Sequence, residues 1–296
     1  MTDESTDAPI PDGAVRVLDR GFVRLVDVMG DDSSIVQAAR VSYGKGTKSV
    51  NEDEGLIRYL MRHSHTTPFE MVEFKFHCRM PIFVARQWIR HRTANVNEMS
   101  GRYSEMPDWF YEPPAEACTT QSAQNRQGGT GERVEDADAV AASFVESQRQ
   151  VYAEYEKYLR AGMRRELARI NLPVSLYTEW YWKIDLHNLF HFLALRLDRH
   201  AQLEIRVFAE AMGGLVQEKV PVAWRAFEDY RLHGLVLSRL DVEGLRKVIA
   251  GASAEDAAAT FKNRRERQEF LEKIKHFVEE ESAEPEPVAG RGLAHN

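Results

Sequence analysis

The chain has 296 residues, 43% of them hydrophobic, and its formal net charge at pH 7 is -7. This length allows a substantial core, whereas the acidic balance argues against a general nucleic-acid binder, which needs a basic face for phosphates. Cys78 and Cys118 show no pairing pattern, the N-terminus lacks the order of a signal peptide, and no apolar run reaches membrane-spanning length. We therefore expect a soluble, cytoplasmic protein that binds neither nucleic acid nor membrane.

In the N-terminal part of the chain, short-range periodicity predicts both strands and helices. Residues 1–14 are polar and acidic and are expected to form a disordered tail. Apolar and polar residues alternate in places over 15–29, which predicts strands, and a short helix is expected over 34–40. Apolar side chains over 52–63 share one helical face, and the alternation over 72–78 predicts a half-buried strand.

Arg90-His91-Arg92 is the most informative stretch of the sequence. Pro81 suits the first residue of a helix over 81–92, because proline is tolerated at the first helical position. Two pairs of polar side chains would lie four residues apart in this helix: Arg86 with Arg90, and Gln87 with His91. The apolar flanks predict that the charges lie near the core, where they need an anionic partner. The stretch indicates a site for phosphate or another anion, and the alternative is a solvated basic helix end.

The loop that follows also indicates a phosphate site. Glu98-Met99-Ser100-Gly101-Arg102 offers a carboxylate, a hydroxyl, a small residue that permits close backbone approach, and a guanidinium. Ser100, the amide of Gly101 and the fork of Arg102 can together hold a phosphate, and the alternative is an ordinary turn. Ser100 is a poor candidate for a nucleophile, because no activating base is identifiable in the local sequence.

The middle of the chain predicts a loop, an insertion and then helices. Residues 93–114 are expected to form a loop, and 115–133, rich in Ser, Thr, Gln and Gly, a flexible surface insertion. Helices are expected over 134–159 and 163–170, followed by an aromatic, β-prone stretch over 175–183.

The C-terminal part is predicted to be mainly helical. Asp185 suits the cap of a helix with a leucine- and phenylalanine-rich face, and another helix is expected over 201–219. Residues 241–296 predict a helical extension that ends in a disordered tail. Ser253 followed by Asp256 resembles a helix start. Four apolar residues of the extension predict a narrow docking stripe: Phe270, Leu271, Ile274 and Phe277.

Two arginines lie on helices that are otherwise suited to burial. Arg196 could direct its cation at a site where negative charge must form. The alternative for Arg196 is a structural ion pair with Asp198 or Glu204. Arg169 has a similar position among apolar neighbours.

Metal and thiol chemistry are not expected. His187 and His191 share a helical face, but the glutamate of a zinc-protease motif is absent, so these histidines are expected to pack or to form hydrogen bonds in a pocket. Cys78 belongs to an apolar strand face and Cys118 to the predicted insertion. Neither cysteine is therefore a good candidate for a nucleophile.

Arg90-His91-Arg92, followed after seven residues by Ser100, resembles the signature of the flavin-dependent thymidylate synthases. Other motifs of that family follow in the same order between about Val17 and Tyr230. They are Gly21-Phe22-Val23, Ala39-Arg40-Val41-Ser42, His65-Thr66-Thr67-Pro68-Phe69-Glu70, Pro81-Ile82-Phe83-Val84-Ala85-Arg86-Gln87-Trp88, Ala168-Arg169, Leu172-Pro173, Leu176-Tyr177-Thr178, Leu195-Arg196 and His200-Ala201-Gln202. We assign the synthase domain to 15–240 on this resemblance.

The resemblance implies an α+β fold in which a mixed or antiparallel sheet packs with long helices, and a homotetramer whose active sites are shared between subunits. It implies reductive methylation of dUMP to dTMP. Methylenetetrahydrofolate would supply the carbon, FAD would carry the hydride and NADPH would reduce the flavin. A cysteine nucleophile is not required in this family.

The resemblance also implies roles for single residues. Those expected to bind FAD are His65, Thr67, Arg90, His91, Arg92, Glu98, Asp185, His187 and His191. Those expected to bind dUMP are Gln87, Arg90, Glu98, Met99, Ser100, Gly101, Arg102, Arg169 and Arg196. Arg196 is expected to be catalytic, because it would contact the uracil ring and favour its ionised form. Where some members carry Asn, Arg and Asn, this chain has Asp185, His187 and His191.

Two other functions are compatible with parts of the sequence. An RNA-binding module would use the basic helix and its aromatic residues, although the acidic net charge and the lack of a nucleic-acid motif weigh against it. A flavoprotein of the same fold could act on a different nucleotide. Flavin absorbance separates the first alternative from the synthase, and tritium release from dUMP labelled at carbon 5 separates the second.

Overall fold

The computed structural model of the chain describes residues 9–41, 50–122 and 128–278. The predicted disorder of the two tails therefore lies largely outside the described residues, as do Ser42 of one family motif and the middle of the predicted insertion. No helix of the described part is long and apolar enough to cross a bilayer.

An antiparallel sheet forms the centre of the fold, with the strand order β1-β2-β3-β7-β4. Its strands, in chain order, are β1 (Val15–Val17), β2 (Gly21–Met29), β3 (Glu73–Pro81), β4 (Asn95–Glu98) and β7 (Tyr177–Asp185). A separate hairpin consists of β5 (Thr119–Gln121) and β6 (Gly129–Arg133). The predicted α+β class with an antiparallel sheet is confirmed.

Helices precede, connect and follow these strands. In the part of the chain up to residue 232 they are α1 (Asp32–Arg40), α2 (Val50–Arg62), α3 (Ile82–Trp88), α4 (Ala137–Arg160), α5 (Arg165–Ala168), α6 (Leu186–Arg196), α7 (Leu203–Lys219) and α8 (Pro221–Phe227). The predicted helix over 163–170 is shorter than expected: it begins at Arg165 and is followed after Ala168 by a 3₁₀ turn, Arg169–Asn171.

The central strand β3 confirms the predicted alternation on one face and departs from it on the other. Phe74, Phe76 and Cys78 are fully buried, in the same apolar cluster as side chains from the surrounding helices. On the opposite face Arg79 is only 2% exposed. Its guanidinium carbon lies 4.9 Å from the ring centre of Phe22 and 4.8 Å from that of Trp109. A carboxylate oxygen of Glu179 lies 3.9 Å from the guanidinium, and it and the two rings stabilise a buried charge that the pattern does not predict.

The helix predicted over 81–92 ends earlier than expected. Pro81 is the last residue of β3 and the cap of α3, which stops at Trp88. The amides of Arg90 and His91 then bond to carbonyls three residues back, at 3.3 and 3.0 Å, which closes the helix with a tight turn. The basic run follows the helix, so the predicted helical stripes through Arg90 and His91 are wrong. Arg90 and Arg92 are exposed, and His91 is half-buried.

The loop predicted over 93–114 is correct except for its first part. β4 occupies that part and pairs with β7, placing Asn97 opposite Tyr181 and Glu98 opposite Trp180. Four exposed residues carry no apolar alternation, so the sequence offers no local signal for this strand.

The described residues divide into two compact units, one that ends at Leu232 and one that begins at His233, whereas the domain boundary at 240 rests on the resemblance alone. In the second unit α9 (Arg239–Ile249), α10 (Ala254–Ala258) and α11 (Arg264–Val278) surround a small core. Ser253 caps α10 through the amide of Asp256, as expected. The predicted docking stripe is not a continuous exposed surface. Phe270 and Ile274 are buried in this core, and Phe277 is 58% exposed.

We expect a chain truncated after Leu232 to stay folded and to bind flavin. The reason is that the described core of the first unit contains no side chain from beyond this residue. Circular dichroism, size-exclusion chromatography and flavin absorbance provide the measurement. Loss of the native oligomer or of bound flavin on truncation would show that the extension belongs to the functional assembly.

Candidate active site

The loop predicted to bind phosphate starts from a firmly held strand end. The Met99 amide donates to the Glu179 carbonyl at 2.8 Å. The Thr178 hydroxyl, which is buried, donates to Oε1 of Glu98 at 2.6 Å. A hydrogen bond to a charged acceptor is among the stronger ones. Strand β7 therefore fixes the position from which the loop departs.

The loop itself forms a compact turn around Ser100. The Ser100 carbonyl accepts hydrogen bonds from the amides of Tyr103 at 3.1 Å and Ser104 at 3.3 Å. The Ser100 hydroxyl accepts one from the Arg102 amide at 3.3 Å. This hydroxyl can still donate its own proton to an incoming acceptor.

Gly101 allows a second arginine to approach this turn. A Cβ at Gly101 would lie 2.6 Å from Sδ of Met106 and 3.0 Å from Cδ of Arg169. Arg169 comes from the 3₁₀ turn after α5, and it thus lies beside the turn as the hypothesis requires. The Nε of Arg102 lies 3.4 Å from a carboxylate oxygen of Glu166, and both side chains are exposed. One hydroxyl, the exposed side chain of Arg102 and the neighbouring Arg169 are therefore groups that suit a phosphate.

A second group of predicted residues meets at the end of α6. The Nε of Arg196 donates to Nε2 of His91 at 3.2 Å. The His91 ring lies edge-on to Phe192, with ring centres 5.0 Å apart, and 5.8 Å from the ring of His191. Burial, and then the charges of Arg196 and His191, lower the pKa of His91 from 6.5 to about 4. His91 is therefore neutral at pH 7.

The ion pairs with Asp198 or Glu204 that were considered as the alternative for Arg196 do not form among the described residues. Asp198 binds the amide and ring of His200, and Glu204 accepts a hydrogen bond from the hydroxyl of Tyr111. Within the described residues no carboxylate lies within 4.0 Å of Arg196. Burial lowers the pKa of the Arg196 guanidinium, which nevertheless stays charged at neutral pH. The side chain is a half-buried cation without a counterion.

Three predicted histidines line one cavity next to this arginine. His65, His187 and His191 surround a volume of about 310 Å³, together with the stacked rings of Phe190 and Phe227. Among described residues no group of three potential metal ligands is found here or elsewhere. The cavity combines apolar side chains with the rings of three histidines, a combination that suits a planar heterocycle.

The remaining predicted residues lie around these groups. Thr67 lines an adjoining groove with His65. The Gln87 side chain donates to that of Gln202. Arg90 and Arg92 are exposed, and no ion pair involves them in the described part of the chain. They are accessible to an anion.

Asp185 has a structural task. One of its carboxylate oxygens accepts the amide of Asn188 at 2.9 Å, and the other accepts the side-chain amide of Asn188 at 2.8 Å. The residue caps α6, as its position before a helical pattern predicts. A carboxylate used in this way offers no donor to a cofactor phosphate.

The two groups share no hydrogen bond or ion pair among the residues that the structure describes. Among described residues, no hydrogen bond or ion pair links the Ser100–Arg102 turn and Arg169 to the group of Arg196 and the histidines. The two groups also depend on different elements, since the first rests on β4 and α5 and the second on α3 and α6.

The contacts of three residues of the site could not be predicted from local sequence patterns. Thr178 and Gln202 belong to the family motifs but show no local sign that they contact Glu98 and Gln87. Arg231 lines the histidine cavity and bonds to the Ser64 hydroxyl at 2.6 Å. These contacts join residues 80 or more positions apart, so no periodic signal could reveal them.

The cysteines play no part in either group. Burial raises the pKa of the Cys78 thiol well above its usual value, so Cys78 is not a thiolate at neutral pH. Cys118 is also a free thiol. It lies 3.9 Å from the Pro114 carbonyl, beside the hairpin of β5 and β6.

We expect the protein to lose stability as the pH falls from about 6.5 through 4, in part because of His91. The unfolded ring takes up a proton near its ordinary pKa of 6.5, whereas the folded ring resists protonation down to about 4. The contribution of His91 to stability is complete above pH 6.5 and is lost between pH 6.5 and about 4, where acid protonates the unfolded state. Melting temperatures at several pH values should therefore fall less steeply for His91→Gln. Equal slopes would contradict the assignment.

A family model described as thymidylate synthase complementing protein matches residues 24–222. The flavin-dependent thymidylate synthase of Ruegeria pomeroyi is 55% identical over 263 residues, covering 87% of each chain. That of Dictyostelium discoideum is 54% identical over 270 residues, covering 88% of this chain and 86% of the relative. A solved structure, the UMP/dUMP methylase PolB of Streptomyces cacaoi with 5-Br dUMP, is 35% identical with a TM-score of 0.67, covering 74% of this chain and 99% of that one.

These similarities, together with the antiparallel fold and the two basic groups, define the class as pyrimidine-nucleotide methylating enzymes. Within that class, the chain belongs to the flavin-dependent thymidylate synthase family.

Proposed function

We propose that this enzyme converts dUMP to dTMP by reductive methylation at carbon 5, with methylenetetrahydrofolate as the carbon donor, FAD as the hydride carrier and NADPH as the reductant. Relatives that are more than half identical over most of their length carry the name flavin-dependent thymidylate synthase. We further propose that the reaction takes place in the cytoplasm, a reducing compartment that suits two free thiols.

The observation that carries the proposal is the unneutralised Arg196. Carbon 5 of uracil is a weak nucleophile, and loss of the proton at N3 makes the ring electron-rich. A fixed cation beside the ring favours that anion. Because Arg196 has no carboxylate partner among the described residues, its charge is available to the substrate. The planar guanidinium also matches the flat edge of the base.

The phosphate of dUMP would lie at the Ser100–Arg102 turn. Ser100 would donate its hydroxyl proton, and Arg102 and Arg169 would supply charge on either side. Glu98 and Met99 would support this turn through their bonds to β7. Gln87 and Arg90, on α3 and just after it, would contact the same nucleotide.

The flavin would be held by the histidine cavity and by the exposed arginines of the basic run. His91 carries its proton on Nδ1, since Nε2 accepts from Arg196, so Nδ1 remains a donor. His65, His187 and His191 would add ring nitrogens. Exposed charges suited to pyrophosphate come from Arg90 and Arg92, with Thr67 and Glu98 as further contacts, whereas Asp185 is excluded as a donor. A flavin bound there supplies the two electrons that turn the one-carbon unit into a methyl group.

We propose a homotetramer in which neighbouring subunits complete each active site. No hydrogen bond or ion pair connects the phosphate turn with the Arg196 group among the described residues of one chain. If a partner presents its turn to this Arg196, a single nucleotide can reach both. Sedimentation with and without dUMP measures the assembly, and mixed oligomers of Arg196→Ala and Arg169→Ala subunits should regain activity.

Tritium release from dUMP labelled at carbon 5 provides the direct test. We expect release that requires methylenetetrahydrofolate and NADPH from a protein with a flavin spectrum. UMP belongs in the same assay, because the solved relative from Streptomyces cacaoi is described as a UMP/dUMP methylase. A flavin-loaded protein that released no label from dUMP would refute the proposal, and release from UMP alone would redirect it to a ribonucleotide.

Ser100→Ala should weaken dUMP binding by about tenfold to a hundredfold, because a hydrogen bond to a charged group contributes about 1.5–3 kcal/mol. Turnover at saturating dUMP should stay measurable. KM and kcat for dUMP provide the measurement. Ser104→Ala is the matched control, since Ser104 contacts the turn through its backbone amide. Complete loss of turnover at saturating dUMP, with FAD bound, would instead make Ser100 a nucleophile.

A further inference from the structure

The contact between Arg196 and His91 joins the proposed catalytic arginine to the middle residue of the basic run, 105 positions away. Arg196 donates through Nε, the guanidinium nitrogen that is bonded to Cδ. Its two terminal nitrogens make no hydrogen bond within the described part of the chain. The guanidinium therefore has one edge held by the protein and one edge open.

His91 is well placed to hold that edge. Its backbone amide donates to the Trp88 carbonyl at 3.0 Å, at the end of α3. Its ring rests against the buried ring of Phe192 on α6, the helix that also carries Arg196. The rings of Trp88 and Phe192 are themselves stacked, with centres 5.0 Å apart. The acceptor nitrogen is thus fixed relative to α6 by two packed elements.

The chemical type of the acceptor matters as much as its position. A carboxylate at this place would orient the guanidinium equally well but would cancel much of its charge. A neutral imidazole nitrogen accepts the Nε proton and leaves the charge uncompensated. Burial and the charge of Arg196 keep His91 unprotonated at neutral pH. The arrangement orients a cation without neutralising it, which is what stabilisation of a developing anion requires.

We infer that His91 is a positioning residue for Arg196: its neutral Nε2 fixes the plane of the guanidinium so that the two terminal nitrogens face the uracil ring. The inference rests on the proposed function and adds a task to the flavin contact expected for His91. The pyrimidine anion is favoured only while the two terminal nitrogens of Arg196 face it, so loss of the His91 contact should affect both ionisation of the bound pyrimidine and turnover.

The test uses the flavin-loaded enzyme and the ionisation of a bound pyrimidine. The probe is 5-fluoro-dUMP, whose N3 proton is acidic enough to titrate, and whose ionisation changes its ultraviolet spectrum. The wild-type protein should lower the pKa of the bound probe relative to the free nucleotide. This readout needs no turnover, and it reports on the charge that Arg196 presents to the ring.

Two substitutions at His91 distinguish the effect of its acceptor nitrogen from that of its ring packing. His91→Gln places an amide oxygen near the position of Nε2, whereas His91→Phe keeps the ring against Phe192 and removes the acceptor. We expect His91→Gln to keep most of the shift of the probe. His91→Phe should lose it and should lose about tenfold to a hundredfold in turnover at saturating dUMP and FAD, the effect of one hydrogen bond to a charged group.

His187→Phe serves as the control for the flavin contact. It alters the same cavity but makes no hydrogen bond to Arg196 among the described residues. It should weaken FAD binding and leave the ionisation of the probe unchanged once FAD is saturating. In an Arg196→Lys background, His91→Phe should have no further effect on the probe, because the edge it holds is already gone.

A His91→Phe protein that ionises the probe like the wild type at saturating FAD would overturn the inference and leave His91 as a flavin contact alone. If His91→Phe fails to fold, His91→Gln and His91→Ala decide the matter, since only the first retains an acceptor. Equal probe ionisation in these two would again overturn it. An enzyme that methylates dUMP without this dependence keeps the proposed function, whereas a wild-type protein that neither binds the probe nor releases tritium refutes the function itself.

Discussion

Arg196→Ala should retain the fold and FAD but lose turnover by about 10²–10³-fold, the usual effect of removing one preorganised group that stabilises developing charge. The loss should persist at saturating dUMP, because the interaction is made with the activated pyrimidine and contributes little to binding of its neutral form. The absence of a carboxylate partner for Arg196 in the described residues is the structural reason. Steady-state kinetics and the flavin spectrum provide the measurement.

Two variants control this experiment. Arg199→Ala removes the same charge three residues away, where the side chain is exposed and takes no part in either group, so turnover should stay near the wild-type value. Arg196→Lys should rescue little, because an ammonium has neither the Nε donor to His91 nor the planar fork. Near-normal turnover of Arg196→Ala would show that the arginine is structural.

Trp88→Ala should lower the free energy of unfolding by about 3–5 kcal/mol, the range for aromatic truncations in a core. Trp88 is fully buried, and its ring contacts Trp180, Trp182 and Phe192 with ring centres 5.0 to 5.4 Å apart. Removing it leaves a cavity between β7, α3 and α6. Urea unfolding measures the loss. Because the Trp88 ring packs on Phe192, against which the His91 ring lies, we expect turnover to fall as well.

Ile89→Ala is the matched control for this substitution. The neighbouring side chain is 38% exposed and lies at the end of the same helix, so its truncation should cost well under half as much. Similar losses for the two variants would mean that the end of α3 contributes through its backbone and not through the packing of Trp88.

Much of the local structure follows from the sequence alone. Strand β3 is predicted because its apolar residues alternate with period two, and α6 because Asp185 precedes a run with helical spacing. Both signals involve residues two to four positions apart. Family membership follows from sequence for a related reason, since the basic run, Ser100 and the motifs around them keep their order along the chain.

The end of α3 and the existence of β4 show where local signals fail. The pattern continues through Arg92, but the helix stops at Trp88, and the chain then turns back so that β4 can pair with β7. The four residues of β4 are exposed and show no apolar alternation, so their pairing with a strand about 80 residues away cannot be predicted from them. A long-range interaction therefore decided the geometry of the basic run, and with it which of its side chains is half-buried.

The chemical types at the site can be predicted from the sequence alone: the arginines, the histidines, the hydroxyl and the glycine that a nucleotide and a flavin require. The contacts that these side chains make follow from the tertiary fold. It gave Arg196 a neutral ring in place of the carboxylates nearest in sequence, brought Thr178 to Glu98, and placed Arg169 beside Gly101. Such contacts form when whole helices and strands pack against one another, and the spacing of residues along the chain does not indicate which elements will pack.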